Sequence, residues 1–444
     1  MDAKYRIDTE ANRQFLHEIS ESLLAFGRRF PAPDGSSYYL GDDGTPWKDR
    51  NRETWITSRM VHVYSIGTML GDPGSEELMQ AGMKGLTGAL HDQKNGGWYA
   101  GLTPEGGILP TKQCYAHAFV ILAASSALLA GCPGAKELLD EALALYDLRF
   151  WNEEEGLSCD TWNTEFTELS DYRGLNANMH TVEAFLAAAD ALGDETYRVR
   201  AGRIIGHVLG WAEGNGWRTP EHYTKEWKSD LTCNIEKPDD PFKPYGATPG
   251  HGIEWARLVT QWALSSFTGT VDVNAADDRS RLSAESKASA DDRRLLPAES
   301  KASADDQRFL SAAESLYDRA IRDAWNADGA PGICYTTDWN GTPVVHDRMH
   351  WTLAEAINTS AVLYHVTGKE RYAEDYSAFM RYLDEYVLDH ENGSWYHQLD
   401  RQNQVIGTVW PGKSDLYHAL QATLIPYEKP EMSIAAAIHE KNMR

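Results

Sequence analysis

Apolar residues recur at close to the α-helical spacing along most of this chain. The stripe predicts twelve helices, over residues 12–30, 54–70, 75–91, 112–129, 135–150, 179–192, 195–211, 252–267, 311–325, 351–367, 371–388 and 415–426. The stretches Gly71-Asp-Pro-Gly74 and Gly131-Cys-Pro-Gly134 read as tight turns between consecutive helices. Strand signals are confined to short pieces of the intervening loops.

One type of loop returns between the helices, carrying Trp, Gly and Asp or Asn. It is seen at 91–99 (HDQKNGGWY), 150–157 (FWNEEEGL), 324–329 (AWNADG) and 389–396 (DHENGSWY), and more loosely at 211–217 and 40–47. Recurrence at a roughly constant period indicates a repeat architecture. The loops are long and irregular, as at the mouth of a closed pocket. The expected fold is therefore all-α, an (α/α)6 barrel of six helix hairpins with short β pieces in the loops. One domain is expected over residues 1–444. Residues 271–308 break the period. They are rich in Ala, Ser, Asp, Glu, Lys and Arg, and AESKASADD occurs twice, at 284–292 and 298–306. This segment is expected to be a low-complexity surface insert without a catalytic role.

Composition narrows the function. The 444 residues carry a net charge of −24, which argues against nucleic acid or an anionic membrane surface as partner. No apolar run approaches the length of a membrane span, and the first residues carry no apolar leader. The five cysteines are scattered, as in a protein of the reducing cytoplasm. A cytoplasmic location is expected, with a small sugar as partner and room for assembly into a homo-oligomer. The 15 Trp and 21 Tyr suit either a core or a pocket whose walls stack on sugar rings.

The stretch 248–258 (TPGHGIEWARL) combines a helix start with candidate chemistry. Thr248 reads as a capping hydroxyl and Pro249 as the first helical residue. His251 and Glu254 then share one face of the first turn. A neutral imidazole beside a carboxylate can serve as a general base, although a lone histidine also caps or packs. His180, His418, His117 and His350 also fall at helix ends, and Arg59 lies on an otherwise apolar helix. Three chemistries fit these residues. His251, Glu254, His180 and His418 could ligate a metal, but no compact metal motif is present. Glu254, Glu355 and Asp415 could supply the opposed carboxylates of a glycosidase. Two histidines and an arginine fit proton transfer beside a sugar carbonyl best, because that reaction needs a near-neutral base, a second acid and donors for an enediolate oxygen.

The segments 55–64 (WITSRMVHVY), 96–99 (GGWY), 171–180 (DYRGLNANMH), 248–255 (TPGHGIEW) and 415–418 (DLYH) together resemble the N-acylglucosamine 2-epimerase superfamily. The resemblance runs through the whole chain outside 271–308 and leans towards the branch of mannose and sulfoquinovose isomerases. It implies an (α/α)6 barrel and an aldose–ketose isomerisation through a cis-enediol, without metal or other cofactor. Carried over by position, His251 and His418 would be the acid/base pair, and His180 would help to open the sugar ring. Arg59 would polarise the carbonyl oxygen, and Glu254 would orient His251. Trp55, Tyr115, His117, Asn176, Trp351 and Glu355 would line the pocket. The expected reaction interconverts D-mannose and D-fructose, with D-lyxose and D-xylulose as further substrates. A 2-epimerase or a sulfoquinovose isomerase is the alternative on the same barrel. A non-catalytic carbohydrate-binding barrel is the alternative of another class.

Overall fold

A computed structural model describes residues 2–266 and 304–444. Among these, thirteen α-helices are formed: α1 Glu10–Phe26, α2 Thr54–Leu70, α3 Ser75–Thr87, α4 Cys114–Leu129, α5 Ala135–Arg149, α6 Leu175–Leu192, α7 Glu195–Gly214, α8 Pro249–Ser266, α9 Ala304–Ala324, α10 His350–Thr367, α11 Glu370–Tyr382, α12 Tyr417–Leu424 and α13 Ile434–Met443. The strands are pieces of two or three residues.

The even-numbered helices through α12 form a closed inner ring, α2–α4–α6–α8–α10–α12 and back to α2. Helices α3, α5, α7, α9 and α11 each back the inner helix that precedes them in the chain. The sixth pair is made from the two ends of the chain, α1 against α12. The expected (α/α)6 barrel is thus realised. The sequence explains which helix goes where. In α4 (CYAHAFVILAASSALL) nearly every residue is buried, as a helix enclosed on all sides requires. In α1, Leu16, Ile19, Leu23 and Leu24 are buried on one face and charged residues occupy the other.

Local signals set the helix ends. Thr9 caps α1 by accepting from the Asn12 N–H, and Asp194 caps α7 by accepting from the Thr196 N–H. Gly71 and Gly74 take φ of +79° and +85°, the left-handed geometry that lets α2 turn straight into α3. One reading is corrected at α8. The helix starts at Pro249 as expected, but Thr248 caps it with its backbone carbonyl, which accepts from His251 N–H, while its buried hydroxyl finds no hydrogen-bond partner among the described residues.

Helix α13 lies beyond the predicted set and packs across α2, α4 and α6 at the lower end of the barrel. It carries little helical periodicity, because Ala435, Ala436 and Ala437 are buried together. Of the expected insert, residues 271–303 lie outside the described residues. Its end is corrected, since α9 begins at Ala304.

The Trp–Gly loops are also corrected. They do not bring their tryptophans to the pocket. Trp98 and Trp395 are wholly buried in the core, and the Trp98 indole donates to the Leu86 carbonyl. The loops at 91–99 and 389–396 are tight hairpins folded on a carboxylate, whereas the one at 150–157 folds on the Asn152 amide oxygen. Asp92 accepts from the backbone N–H groups of Lys94 and Asn95, and Asp389 from those of Glu391 and Asn392. A buried lysine just ahead of the next inner helix then docks on the hairpin. Lys112 donates to Asp92 and Gly96, and Lys413 to Asp389 and Gly393. Arg348, ahead of α10, meets Asp328 in the same way at 2.8 Å. Removing one partner of such a dry pair leaves an uncompensated charge. Lys413→Met is expected to cost about 3–5 kcal/mol in urea unfolding, against less than about 1 kcal/mol for the same change at the exposed Lys136.

Candidate active site

Helical spacing makes each inner helix project one row of side chains down the barrel axis. The rows are Trp55, Arg59 and His62 on α2; Tyr115, Phe119, Leu122 and Ser126 on α4; and Asn176, His180, Glu183 and Ala187 on α6. They continue as His251, Glu254, Arg257 and Gln261 on α8; Trp351, Glu355, Asn358 and Val362 on α10; and His418, Gln421 and Ile425 on α12. The upper members line a cleft of about 750 Å³, open space above it included. The lower members, from His62 and Glu183 downwards, face a separate small cavity roofed by α13. The upper cleft is the candidate active site.

Three cleft histidines share one arrangement. His180 Nδ1 meets Glu183 at 3.2 Å, His251 Nδ1 meets Glu221 at 2.9 Å and His418 Nδ1 meets Glu355 at 3.0 Å. An ionised carboxylate only accepts, so each Nδ1 donates to its carboxylate. Burial pushes His418 well below the ordinary histidine range and His180 down to about 4. Both rings are therefore neutral at pH 7. Glu183 also accepts from the Tyr417 hydroxyl and from the Gln421 amide.

Arg59 is buried against the rings of Phe119, Tyr417 and Trp55, with its guanidinium carbon 4.4–4.9 Å from their centroids. It donates to Asp415 at 3.1 Å and to the Tyr115 hydroxyl at 2.9 Å. Although desolvation opposes its charge, the neighbouring Tyr115, Asp415 and Tyr417 raise its pKa further, so it stays a cation. On the floor, Arg257 donates to Glu355 at 2.8 Å and lies 3.7 Å from Glu254. Neither Glu254 oxygen has a hydrogen-bond partner among the described residues. Burial, reinforced by Glu355, raises the Glu254 carboxyl well above the carboxylate range. Arg257 makes Glu355 the member of the pair that carries the charge, and Glu254 presents a neutral carboxyl to the cleft.

Of the expected site residues, His251, His418, His180, Arg59, Glu254, Trp55, Tyr115, Asn176 and Trp351 converge on this cleft. Three placements are corrected. Glu254 does not hold His251, because it points down the axis towards Arg257, and Glu221 holds His251 instead. His117 stands away from the cleft, packed on Phe150 and Trp98. Its Nδ1 meets the Gln113 carbonyl and its Nε2 accepts from Trp98 N–H, as suits a neutral core histidine. Glu355 lies beneath His418 and is wholly buried.

Sequence reading missed Glu221, His397, Tyr335, Trp410 and Phe242. Glu221 precedes the two-residue strand His222–Tyr223, whose antiparallel partner Arg173–Gly174 leads into α6. Nothing in local periodicity marks it. Phe242 and Trp410 meet edge to face at 5.4 Å at the mouth, and Phe242 is more than half exposed, an unusual state for phenylalanine.

A closed helical ring that brings paired histidines, a buried arginine and aromatic walls to one cleft is the arrangement of an (α/α)6 enzyme acting on a small polar molecule. Comparison with known proteins agrees. The model of the N-acylglucosamine 2-epimerase (GlcNAc 2-epimerase) family matches residues 35–294 and 293–422. The chain is 38% identical over 431 residues to a D-mannose isomerase of Thermobifida fusca, covering 96% of this chain and 97% of that one. It is 37% identical over 429 residues to a D-mannose isomerase of Pseudomonas cannabina pv. alisalensis, covering 96% and 95%. A D-mannose isomerase crystal structure superposes with a TM-score of 0.78 at 25% identity, over 93% of this chain and 97% of that one. A cellobiose 2-epimerase structure from Spirochaeta thermophila shares the fold, with a TM-score of 0.73 at 18% identity over 94% and 98%. The chain belongs to the N-acylglucosamine 2-epimerase family.

The buried neutral histidines set a pH dependence of stability. His62, His180 and His350 are each lowered to about 4, chiefly by desolvation. Unfolded histidine titrates near 6.5, so below that pH the unfolded chain binds protons that the folded chain refuses. Stability is expected to be full above pH 6.5 and to fall as the pH drops towards 4, by up to about 2 kcal/mol per histidine at pH 5. Urea midpoints at pH 7.5, 6 and 5 measure it.

Proposed function

We propose that this chain is an aldose–ketose isomerase that interconverts D-mannose and D-fructose, with D-lyxose and D-xylulose as related substrates. The observation that carries the reading is the pair of cleft histidines, His251 and His418, both against Trp351 with ring centroids 4.9 and 5.9 Å from it. Each has Nδ1 tied to a carboxylate, which leaves Nε2 for the substrate. The close kinship with D-mannose isomerases supports the choice of sugar.

In this reading one histidine Nε2 takes the proton from C2 of the open-chain aldose while the carbonyl oxygen at C1 is protonated. The cis-enediol that results returns a proton to C1, and the C2 hydroxyl gives up its proton to leave the ketone. Arg59 offsets the negative charge that grows on the oxygen. The neutral Glu254 carboxyl donates to an enediol oxygen. His180, steadied by Glu183, moves the proton needed for ring opening. Trp55, Tyr115, Asn176 and Trp351 hold the sugar.

The reaction runs without metal in this proposal. The buried donor groups His180–Glu183–Glu254 and Glu254–Glu355–His418 have the spacing of a cation site. Arg257, bonded to Glu355 and close to Glu254, already supplies positive charge to the floor. The five free cysteines support a cytoplasmic setting, and among the described residues no helix is long and apolar enough to cross a membrane.

A proton NMR time course with D-mannose in D2O tests the reading. Fructose is expected to appear with deuterium incorporated, at a rate unchanged by exhaustive chelation. Glucose as the first product would make the chain a 2-epimerase. His251→Asn and His418→Asn are each expected to lower kcat by about 10²–10⁴-fold with the fold intact. Survival of activity in both would overturn the assignment. Glu221→Gln is expected to lower kcat by about 10–100-fold, because an amide no longer dictates the tautomer of His251. The same change at Glu254, which does not touch His251, should leave the pH profile of that histidine in place.

A further inference from the structure

His350 and His397 form an element that the acid/base pair does not use. Their rings stack face to face, with centroids 3.9 Å apart and planes within 4° of parallel. Both side chains line the cleft and both are more than nine-tenths buried. A two-residue β-ladder, Arg348–Met349 against Gln398–Leu399, holds them side by side.

The hydrogen bonds determine which nitrogens carry protons. His397 Nε2 lies 3.1 Å from the Asp415 carbonyl, and His350 Nδ1 lies 3.4 Å from the His397 carbonyl. Carbonyl oxygens only accept, so both of these nitrogens are N–H donors. Burial also keeps both rings neutral, His350 at about 4 and His397 well below its ordinary range. The Nε2 of His350 is therefore a bare acceptor. It is buried, and among the described residues no atom hydrogen-bonds to it. A buried acceptor without a partner is rare in a folded protein, and one facing a cleft calls for a donor from the ligand. Asn176 presents a second one there, its buried Oδ1.

We propose that His350 is a substrate-binding residue whose Nε2 accepts a hydrogen bond from the C3, C4 or C6 hydroxyl of the sugar. This rests on the isomerase reading and extends it to the substrate's chemistry. An acceptor selects a hydroxyl and repels an anionic group, so this part of the cleft is built for a neutral sugar.

His350→Phe is the decisive variant. Phenylalanine keeps an aromatic ring to stack on His397 and removes the ring nitrogens, with a slightly larger ring. The His397 carbonyl keeps its bond from the backbone N–H of residue 350. With D-mannose, KM is expected to rise about 10-fold, the order of a hydroxyl left unpaired in a dry site, with kcat within about threefold. The penalty should vanish with one of 3-deoxy-, 4-deoxy- or 6-deoxy-D-mannose, which identifies the bonded hydroxyl. An unchanged KM, or a penalty that persists equally for all three deoxy sugars, would overturn the inference and leave His350 a packing residue. Failure of the wild-type chain to turn over mannose would instead defeat the isomerase reading. Calorimetric binding of mannose and the three deoxy sugars to both proteins then decides the role of His350 by the same comparison.

Discussion

Everything in this barrel depends on how polar groups are paired along a dry axis. Six inner helices leave room for one row of side chains each, and those rows are largely polar. Charge placed there is costly unless it is matched. The structure matches it in layers. Arg59 meets Asp415, Arg257 meets Glu355, and three histidines meet three carboxylates. Among the described residues, the cleft-lining atoms left without a hydrogen bond include both Glu254 oxygens, Asn176 Oδ1, His350 Nε2 and Arg59 Nε. Those groups face the place where a sugar would sit. The electrostatics of folding and the candidate chemistry are thus one problem with one set of residues.

Ring closure is the second constraint. The helices α1 and α12 pair across almost the full length of the chain, and the Arg59–Asp415 bridge joins the first inner helix to the segment before the last. The hairpin struts work in the same direction. Each fixes the start of an inner helix to the loop of an earlier hairpin through a buried cation and a loop carboxylate. The cleft side chains sit in the first turns of those inner helices. A fault in a strut would therefore move a site residue, although no strut residue touches the cleft.

Most of the architecture was legible because helical periodicity is a local property. The short turns at Gly71–Gly74 and Gly131–Gly134 showed which helices are paired. Helix α13 escaped because a run of buried alanines carries no amphipathic signal. The Trp–Gly loops were visible, but not their direction. A tryptophan beside glycine reads alike whether it faces a pocket or the core, and Trp98 and Trp395 fill the core. In the site, spacing placed His251 and Glu254 on one face of α8. It could not show that the 3.6-residue twist sends Glu254 down the axis, out of reach of the His251 ring. Glu221 is separated from His251 by thirty residues of irregular chain and could be found only in three dimensions.

The three histidine–carboxylate pairs are not equivalent. Glu183 and Glu355 stand on inner helices, one layer below the rings they hold. Glu221 instead comes from the irregular segment between α7 and α8. That segment also supplies Pro241, Phe242 and Pro244 to the cleft wall, and His222 ties it back on itself by meeting the Pro244 carbonyl at 2.8 Å. The partner of His251 and one wall of the mouth therefore belong to a single stretch of chain. His418 is oriented by the rigid ring alone, whereas the orientation of His251 is linked to the wall that meets the sugar. Proton transfer between adjacent carbons needs a base that is both fixed and correctly placed over the bound substrate. In the proposed isomerisation, one histidine set by the barrel and one set by the wall would divide those two requirements between them.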